Sequence, residues 1–288
     1  MLFADRPAPR GAPGRVGATY RRRVTPPVPA RRQRILITGA SSGLGAEMAR
    51  LWAAQGRDLA LCARRLGELE RVRDELLTAH PGITVSVHPL DVLDAAAVEA
   101  AVADAVSALG GLDRVVANAG VALGGSIGSG HAEGNRTTAL TNIVGTLNQA
   151  ESAVRHFRSV GRGHFAVISS MSAVRGMAGP MNVYSASKAA VASLAEGLRT
   201  DLHGTGIAVS SVHPGYIRTA LSDGMPSKLF TASLERGTAA IVHAIERERP
   251  RAHVPTWPWA AVGVAMRLAP MPLFKRFAGG TPNTGAGR

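Results

Sequence analysis

The sequence predicts an α/β fold: a doubly wound parallel sheet with helices on both faces, built as one domain with N- and C-terminal extensions. Two observations lead there. From Arg34 onward, short apolar runs rich in Ile, Leu and Val alternate with longer segments whose apolar residues recur at helical spacing, the texture of successive strand–helix–strand units. A glycine-rich turn, GASSGLG at positions 39–45, joins the first apolar run to the first helical pattern. At 288 residues the chain is within reach of a single core with tails, so length does not require a second domain.

Taken in order, the elements are as follows. Strands are expected at Ile35 to Thr38, Asp58 to Cys62, Thr84 to His88, Arg114 to Ala117, His164 to Ser169 and Ile207 to His213, with a last one near Ala252 to Val254. Between them, Leu66 to Ala79 alternates leucine and valine with charged residues at helical spacing, and Asp94 is placed to cap the helix that follows it. Long helices are expected over 136–158 and 184–203. Residues 1–33 mix proline, glycine and arginine without apolar periodicity, so they are expected to form a disordered basic leader or an upstream extension of the true start. The folded domain is then expected over 34–255, with an extension over 256–288.

Charge and cysteine narrow the function classes. The net charge is +13, but it is unevenly spread: residues 1–34 carry nine arginines against Asp5, residues 250–288 carry five basic residues and no acid, and the segment between holds 19 basic and 19 acidic residues. A neutral core with basic ends argues against a nucleic-acid groove and leaves only a loose attraction to anionic surfaces. Cys62 is the lone cysteine, which excludes an intramolecular disulfide framework and a cysteine zinc site. No histidine cluster has metal-ligand spacing, so no metal site is expected. There is no hydrophobic signal core and no apolar run of membrane-spanning length, so a cytoplasmic location is expected.

The glycine turn has the context that a nucleotide pyrophosphate needs, since glycine permits close backbone approach and a helix start offers free N–H groups to an anion. Gly39, Gly43 and Gly45 are spaced GxxxGxG, a pattern that 33 glycines would produce by chance about 0.4 times, so the context carries the weight. The stretch YSASK is more specific. Tyr184 and Lys188 stand four apart, on one helix face, and three tyrosines with three lysines give such a pair by chance roughly 0.03 times. The pairing has a chemical use, because lowering a phenol pKa by about three units requires roughly 4 kcal/mol. A cation about 4 Å away at an effective dielectric near 20 supplies a similar amount before desolvation.

TGASSGLG, then NAG at 118–120, ISS at 168–170, YSASK at 184–188 and HPGYIRT at 213–219 occur in one order. In that order they resemble the short-chain dehydrogenase/reductase family, in its single-domain, cofactor-first branch, over residues 33–220 and more loosely to about 255. The resemblance implies a Rossmann-like sheet and a catalytic tetrad. Tyr184 would exchange the proton with the substrate oxygen, Ser170 would hydrogen-bond that oxygen, Lys188 would bind the nicotinamide ribose and acidify Tyr184, and Asn142 would hold a water of the proton relay. Ser170 lies 14 residues before Tyr184 where the family more often shows 13, and Ser172, at 12, competes with it. Ser170 is preferred because it directly ends the apolar run AVISS.

For the cofactor, the resemblance implies contacts from Gly39, Ser41, Ser42, Gly43, Leu44 and Gly45 to the phosphates, from Asp91 to the adenine, and from Asn118, Ala119 and Gly120 beside the adenosine. Tyr184 and Lys188 would meet the nicotinamide ribose, and Pro214, Gly215 and Thr219 would lie near the carboxamide. Ala63 stands where an acid would bind the ribose 2′-OH of NAD, and Arg64 and Arg65 follow, which favours NADP(H), with Arg64 ranked first. His213 is read as structural.

Met171, Met177, Met181 and Met225 fall in segments that the resemblance puts around the substrate, which suits a hydrophobic carbonyl or alcohol, and Leu221 to Thr231 would form a lid. The family's habit implies a homodimer or homotetramer, with the segment around Leu194 and Leu198 contributing. Trp257 and Trp259 precede a short apolar run flanked by Arg267, Lys275 and Arg276, the pattern of a helix that packs on the core or on a partner subunit, or lies peripherally on a membrane. A non-catalytic NADP(H)-binding sensor on the same fold is the competing expectation.

Overall fold

In a computed structural model, residues 32–218 and 231–278 are described, with side chains through Phe274. The leader up to residue 31, Thr219, most of the expected lid with Met225, and residues 279–288 lie outside the described residues.

Seven strands form one parallel sheet. They are β1 (Arg34–Thr38), β2 (Asp58–Ala63), β3 (Val85–Pro89), β4 (Arg114–Ala117), β5 (Gly163–Ile168), β6 (Ile207–Pro214) and β7 (Arg251–Val254), in the order β3-β2-β1-β4-β5-β6-β7. Alternate side chains of one strand face opposite ways, so Ile35 and Ile37 enter one apolar cluster and Leu36 the other. On the first face lie α1 (Gly43–Ala53), α2 (Leu66–Ala79) and α7 (Leu234–Glu246); on the second lie α3 (Ala95–Leu109), α5 (Gly145–Val160) and α6 (Met181–Asp201). The strand order reverses between β1 and β4, which opens a crevice at their carboxyl ends, the usual ligand position in such sheets.

The expected strands all form, each within a residue or two of its expected bounds. The helix over 66–79 has the expected ends, and Asp94 accepts a hydrogen bond from the Ala97 N–H as an N-cap. The long helix expected over 136–158 needs correction. It is α4 (Ala132–Ala139), a π-helical turn (Leu140–Val144) and α5 in succession, because one wide turn at Asn142 adds a residue without disturbing the apolar spacing on either side. Helix α6 begins three residues before the expected Tyr184, directly after Pro180. Beyond β7 the chain continues as α8 (Thr256–Leu268) and α9 (Met271–Ala278).

The amino ends of the strands hold a charge cluster. Arg57 and Arg114 are each 1 % exposed, and both pair with Glu246, which also accepts from the Trp52 indole N–H at 2.8 Å. Arg114 donates to His164 Nδ1 at 2.9 Å, and burial first, then Arg114, holds that imidazole neutral. Removing one partner of a buried ion pair leaves an uncompensated charge, and here two guanidinium groups depend on one carboxylate. Glu246→Ala is expected to lose about 3 kcal/mol or more of stability in urea denaturation. A loss below about 1 kcal/mol, the range of a surface pair, would contradict this account.

Candidate active site at the carboxyl ends of the strands

After β1 the chain turns through Gly39 at φ +64° and Gly43 at φ +55°, a left-handed region that other residues enter only at a cost. Gly45, in the first turn of α1, has no room for a side chain: a Cβ there would sit 2.2 Å from the Gly39 carbonyl oxygen and 2.9 Å from Asn118 Nδ2. Helix α1 starts without a side-chain cap from Ser42 and without an acid in its first turn, so its leading N–H groups and dipole are available to an anion. Ser41 is buried, Leu44 is half-buried and Ser42 is exposed on this turn. Arg65, at the start of α2, donates to Ser41 Oγ at 3.1 Å and to Ser42 Oγ at 3.0 Å. Arg64, ranked first from the sequence, and Arg65 are both exposed, and it is the Arg65 guanidinium that lies on the turn. Asp91 caps its own turn, accepting from the Leu93 N–H at 3.0 Å.

The end of β4 joins this turn to the other half of the site. Asn118 Nδ2 donates to the Thr38 carbonyl at 2.9 Å, and the backbone N–H groups of Asn118 and Ala119 donate to Thr38 Oγ1 at 3.1 and 3.0 Å. At Gly120 a Cβ would lie 3.0 Å from Asn142 Oδ1 and 3.3 Å from Lys188 Nζ. Asn142, 1 % exposed in the π-helical turn, accepts from the Val121 N–H at 2.9 Å and donates to the Val121 carbonyl at 3.0 Å and to Ser187 Oγ at 2.9 Å. Its amide thus straps down the chain that follows Gly120. Ser187 and Thr38 lie within YSASK and TGASSGLG, but the chemistry expected of those motifs assigns neither a role, because their partners Asn142, Asn118 and Ala119 are distant in sequence.

Ser170 follows β5, and Tyr184 and Lys188 stand one turn apart on α6. The Ser170 hydroxyl accepts from the Ser172 N–H at 3.1 Å and hydrogen-bonds the Tyr184 phenol. The Ser172 hydroxyl is buried and makes no hydrogen bond among the described residues, so of the two serines Ser170 is the one directed at the phenol. Lys188 Nζ lies 5.8 Å from the centre of the Tyr184 ring and donates to the Ile168 carbonyl at 2.9 Å. Burial pushes the phenol up to about 12, against the pull of Ser170, and pushes Lys188 down to about 8. The acidified phenol expected from the sequence does not follow from this environment: desolvation of Tyr184 outweighs the pull of Ser170.

His213, at the end of β6, backs Ser170. Its Nδ1 donates to the Ser170 carbonyl at 3.3 Å and its Nε2 lies 3.3 Å from Ser211 Oγ. Burial above all pushes His213 down to about 3, so the ring is neutral throughout the working range. Pro214 closes β6, and a Cβ at Gly215 would sit 2.0 Å from the Trp259 ring. Among the described residues no group of three or more His, Cys, Asp or Glu is arranged to hold a metal ion.

These residues fit a dinucleotide. An uncapped helix start and a glycine cradle admit a phosphate, and the end of β4 leads from there to Lys188 and Tyr184. A doubly wound parallel sheet with this turn at its switch point defines a nucleotide-binding α/β protein. The family model described as short chain dehydrogenase matches residues 33–229, and the chain belongs to that family. An uncharacterized oxidoreductase of Mycobacterium tuberculosis is 46 % identical over 247 residues, covering 86 % of this chain and 98 % of that protein.

A short-chain dehydrogenase/reductase of Burkholderia phymatum in complex with NAD superposes with TM-score 0.72 at 23 % identity, over 82 % of this chain and 93 % of that one. A short chain dehydrogenase of Burkholderia cenocepacia in complex with NADP gives TM-score 0.72 at 23 % identity, over 86 % and 97 %. At that identity the two structures speak for the fold alone. The chain is an oxidoreductase of the short-chain type.

The buried Lys188 has a measurable cost. Its charged form is disfavoured in the fold, so the penalty is complete below about pH 8 and disappears as pH rises towards the unfolded value of 10.5. Lys188→Met is expected to raise stability at pH 7 by up to about 3 kcal/mol, less the lost bond to Ile168, and to give a smaller gain at pH 10. Urea denaturation at the two pH values measures this; an equal gain at both would mean that the burial of charge is not its source.

Proposed function

We propose that this chain is an NADP(H)-dependent carbonyl reductase or alcohol dehydrogenase acting on a hydrophobic ketone, aldehyde or secondary alcohol. The observation that carries the reading is the Ser170 hydroxyl on the Tyr184 phenol, with Lys188 one helical turn away. A substrate oxygen entering between them accepts hydrogen bonds from both hydroxyls. When bound, the nicotinamide supplies the hydride. Tyr184 would transfer its proton to the substrate oxygen as negative charge grows there, and the phenolate left behind would stand next to the Lys188 ammonium. A phenol near 12 remains protonated at neutral pH and so serves the reductive direction. Asn142, holding Val121 and Ser187, and His213, holding the Ser170 carbonyl, keep these groups in place.

NADP(H) is favoured over NAD(H) by Arg65 on Ser41 and Ser42, with Ala63 in place of an acid at the end of β2. A guanidinium there can meet a ribose 2′-phosphate. Buried Met171 and half-buried Met177 and Met181, close in sequence to Ser170 and Tyr184, suit an apolar substrate. Leu140, Val144 and Leu147 recur at helical spacing and are exposed, which fits a homodimer or homotetramer better than the half-buried Leu194 and Leu198. No helix among the described residues is long and apolar enough to cross a membrane, and the reading places the enzyme in the cytoplasm with peripheral contact to membranes through the C-terminal segment.

Ser170→Ala is expected to lower kcat for NADPH-dependent ketone reduction by about 100-fold or more. Ser172→Ala should stay within about twofold of wild type, since its hydroxyl has no partner to lose. The reverse ranking would move the catalytic role to Ser172. For the cofactor, Arg65→Ala should weaken NADPH binding about tenfold while leaving NADH nearly unchanged, as followed by nucleotide fluorescence titration. Equal weakening of both nucleotides would refute the assignment to the 2′-phosphate.

A further inference from the structure

We infer that α8 and α9 form a docking surface for anionic lipid bilayers, and that it holds the mouth of the active site against the membrane. Helix α8 packs directly on the segment that follows Ser170. A Cβ at Gly263 would touch Met171 at 3.1 Å and Val174 at 3.9 Å, and the Trp259 ring lies 5.4 Å from that of Tyr216. The turn between α8 and α9 is pinned as well. Arg175 donates to the carbonyls of Met266 and Ala269, and its guanidinium lies 4.4 Å above the centre of the buried Phe274 ring.

Fixing these inner residues turns the others outward. Trp257 is 80 % exposed and Leu268 77 %, and Val264, Met271 and Leu273 are exposed with them. Val264 and Leu268 are four apart and share one helix face. Five large apolar side chains on two short helices exceed the scattered exposure that a soluble surface normally carries.

Charge indicates the occupant. Residues 250–288 contain Arg251, Arg267, Lys275, Arg276 and Arg288 and no acid. A stretch so basic and without an acid is complementary to anionic headgroups, whereas a second copy of it carries charge of the same sign. An exposed tryptophan in a basic segment suits the headgroup layer, and exposed aliphatic side chains suit the acyl boundary. Since α8 also packs beside Ser170, a docked molecule takes its carbonyl substrate from the lipid phase. That consequence rests on the proposed reductase function; the docking itself does not.

The test uses the full chain with vesicles of phosphatidylcholine mixed with phosphatidylglycerol, and with vesicles of phosphatidylcholine alone. Wild type is expected to co-sediment with the mixed vesicles only, and Leu268→Asp to reduce the bound fraction about tenfold while NADPH titration is unchanged. On a long-chain ketone dissolved in the mixed vesicles, Leu268→Asp should lose about tenfold in kcat/KM, with a short water-soluble ketone turned over as before. Wild type that ignores mixed vesicles, or Leu268→Asp that still binds them, overturns the docking. So does a concentration-dependent dimer, seen by sedimentation velocity, that Leu268→Asp abolishes. A chain that binds vesicles and NADPH but reduces no ketone would count against the reductase reading and leave the docking standing.

Discussion

One hydroxyl ties the two halves of this site together. Thr38 Oγ1, 1 % exposed at the end of β1, accepts the backbone N–H groups of Asn118 and Ala119 and donates to Gln149 Oε1 at 2.8 Å. The end of β4 is thereby clamped beside the end of β1, at the point where the strand order reverses. From that clamp Asn118 reaches back to the glycine turn, and Gly120 lies against Asn142 and Lys188. A buried hydroxyl with all its hydrogen bonds made adds rigidity, and the same group left partly unpaired would be costly. The spacing between the glycine turn and the Tyr184–Lys188 pair is therefore set by hydrogen bonds in the interior and not by loop geometry.

Much of this was legible in the sequence, and the reason is local. Strands of a doubly covered parallel sheet are continuous apolar runs, so β1, β2 and β4 announce themselves. Gly39 and Gly45 are spaced by the close approach they allow, and Tyr184 and Lys188 by one helical turn. Asp94 could be read as a cap because its partner, Ala97, is three residues away. What stayed hidden depends on contacts between distant residues. The π-helical turn at Asn142 answers to the Val121 backbone, 21 residues earlier. Likewise, nothing in the sequence brings Glu246 to Arg114 across 132 residues, so a cluster of charges in a neutral core went unnoticed. Ranking Arg64 above Arg65 failed to anticipate the contact with Ser41 and Ser42 for the same reason: the choice depends on how α2 leaves β2.

The two ends of the sheet treat buried charge differently. At the amino ends, Arg57 and Arg114 share the carboxylate of Glu246, and the arrangement is closed upon itself. At the carboxyl ends, Lys188 is buried with a carbonyl as its hydrogen-bond acceptor, and burial alone accounts for its lowered pKa. An ammonium group held by a single neutral oxygen is under-compensated, and a fold selected only for stability would replace it with an apolar side chain. Its retention beside a phenol, on the same wall as an uncapped helix start, makes sense if oxygen atoms of a ligand complete its coordination. The arrangement thus trades stability for a site whose polar groups stand ready before the ligand arrives.

Tyr184 follows the same logic in the opposite sense. Burial disfavours its anion, so a phenol near 12 holds its proton until a stronger acceptor forms beside it. In the proposed reduction that acceptor would be the substrate oxygen as negative charge grows on it, and the proton would need to move only then. The oxidative direction requires the phenolate first, which this environment penalises until a further positive charge enters the site. On that proposal, burial of the tyrosine and under-compensation of the lysine would act together: one would keep the proton available, and the other would stabilise the charge that its departure leaves behind.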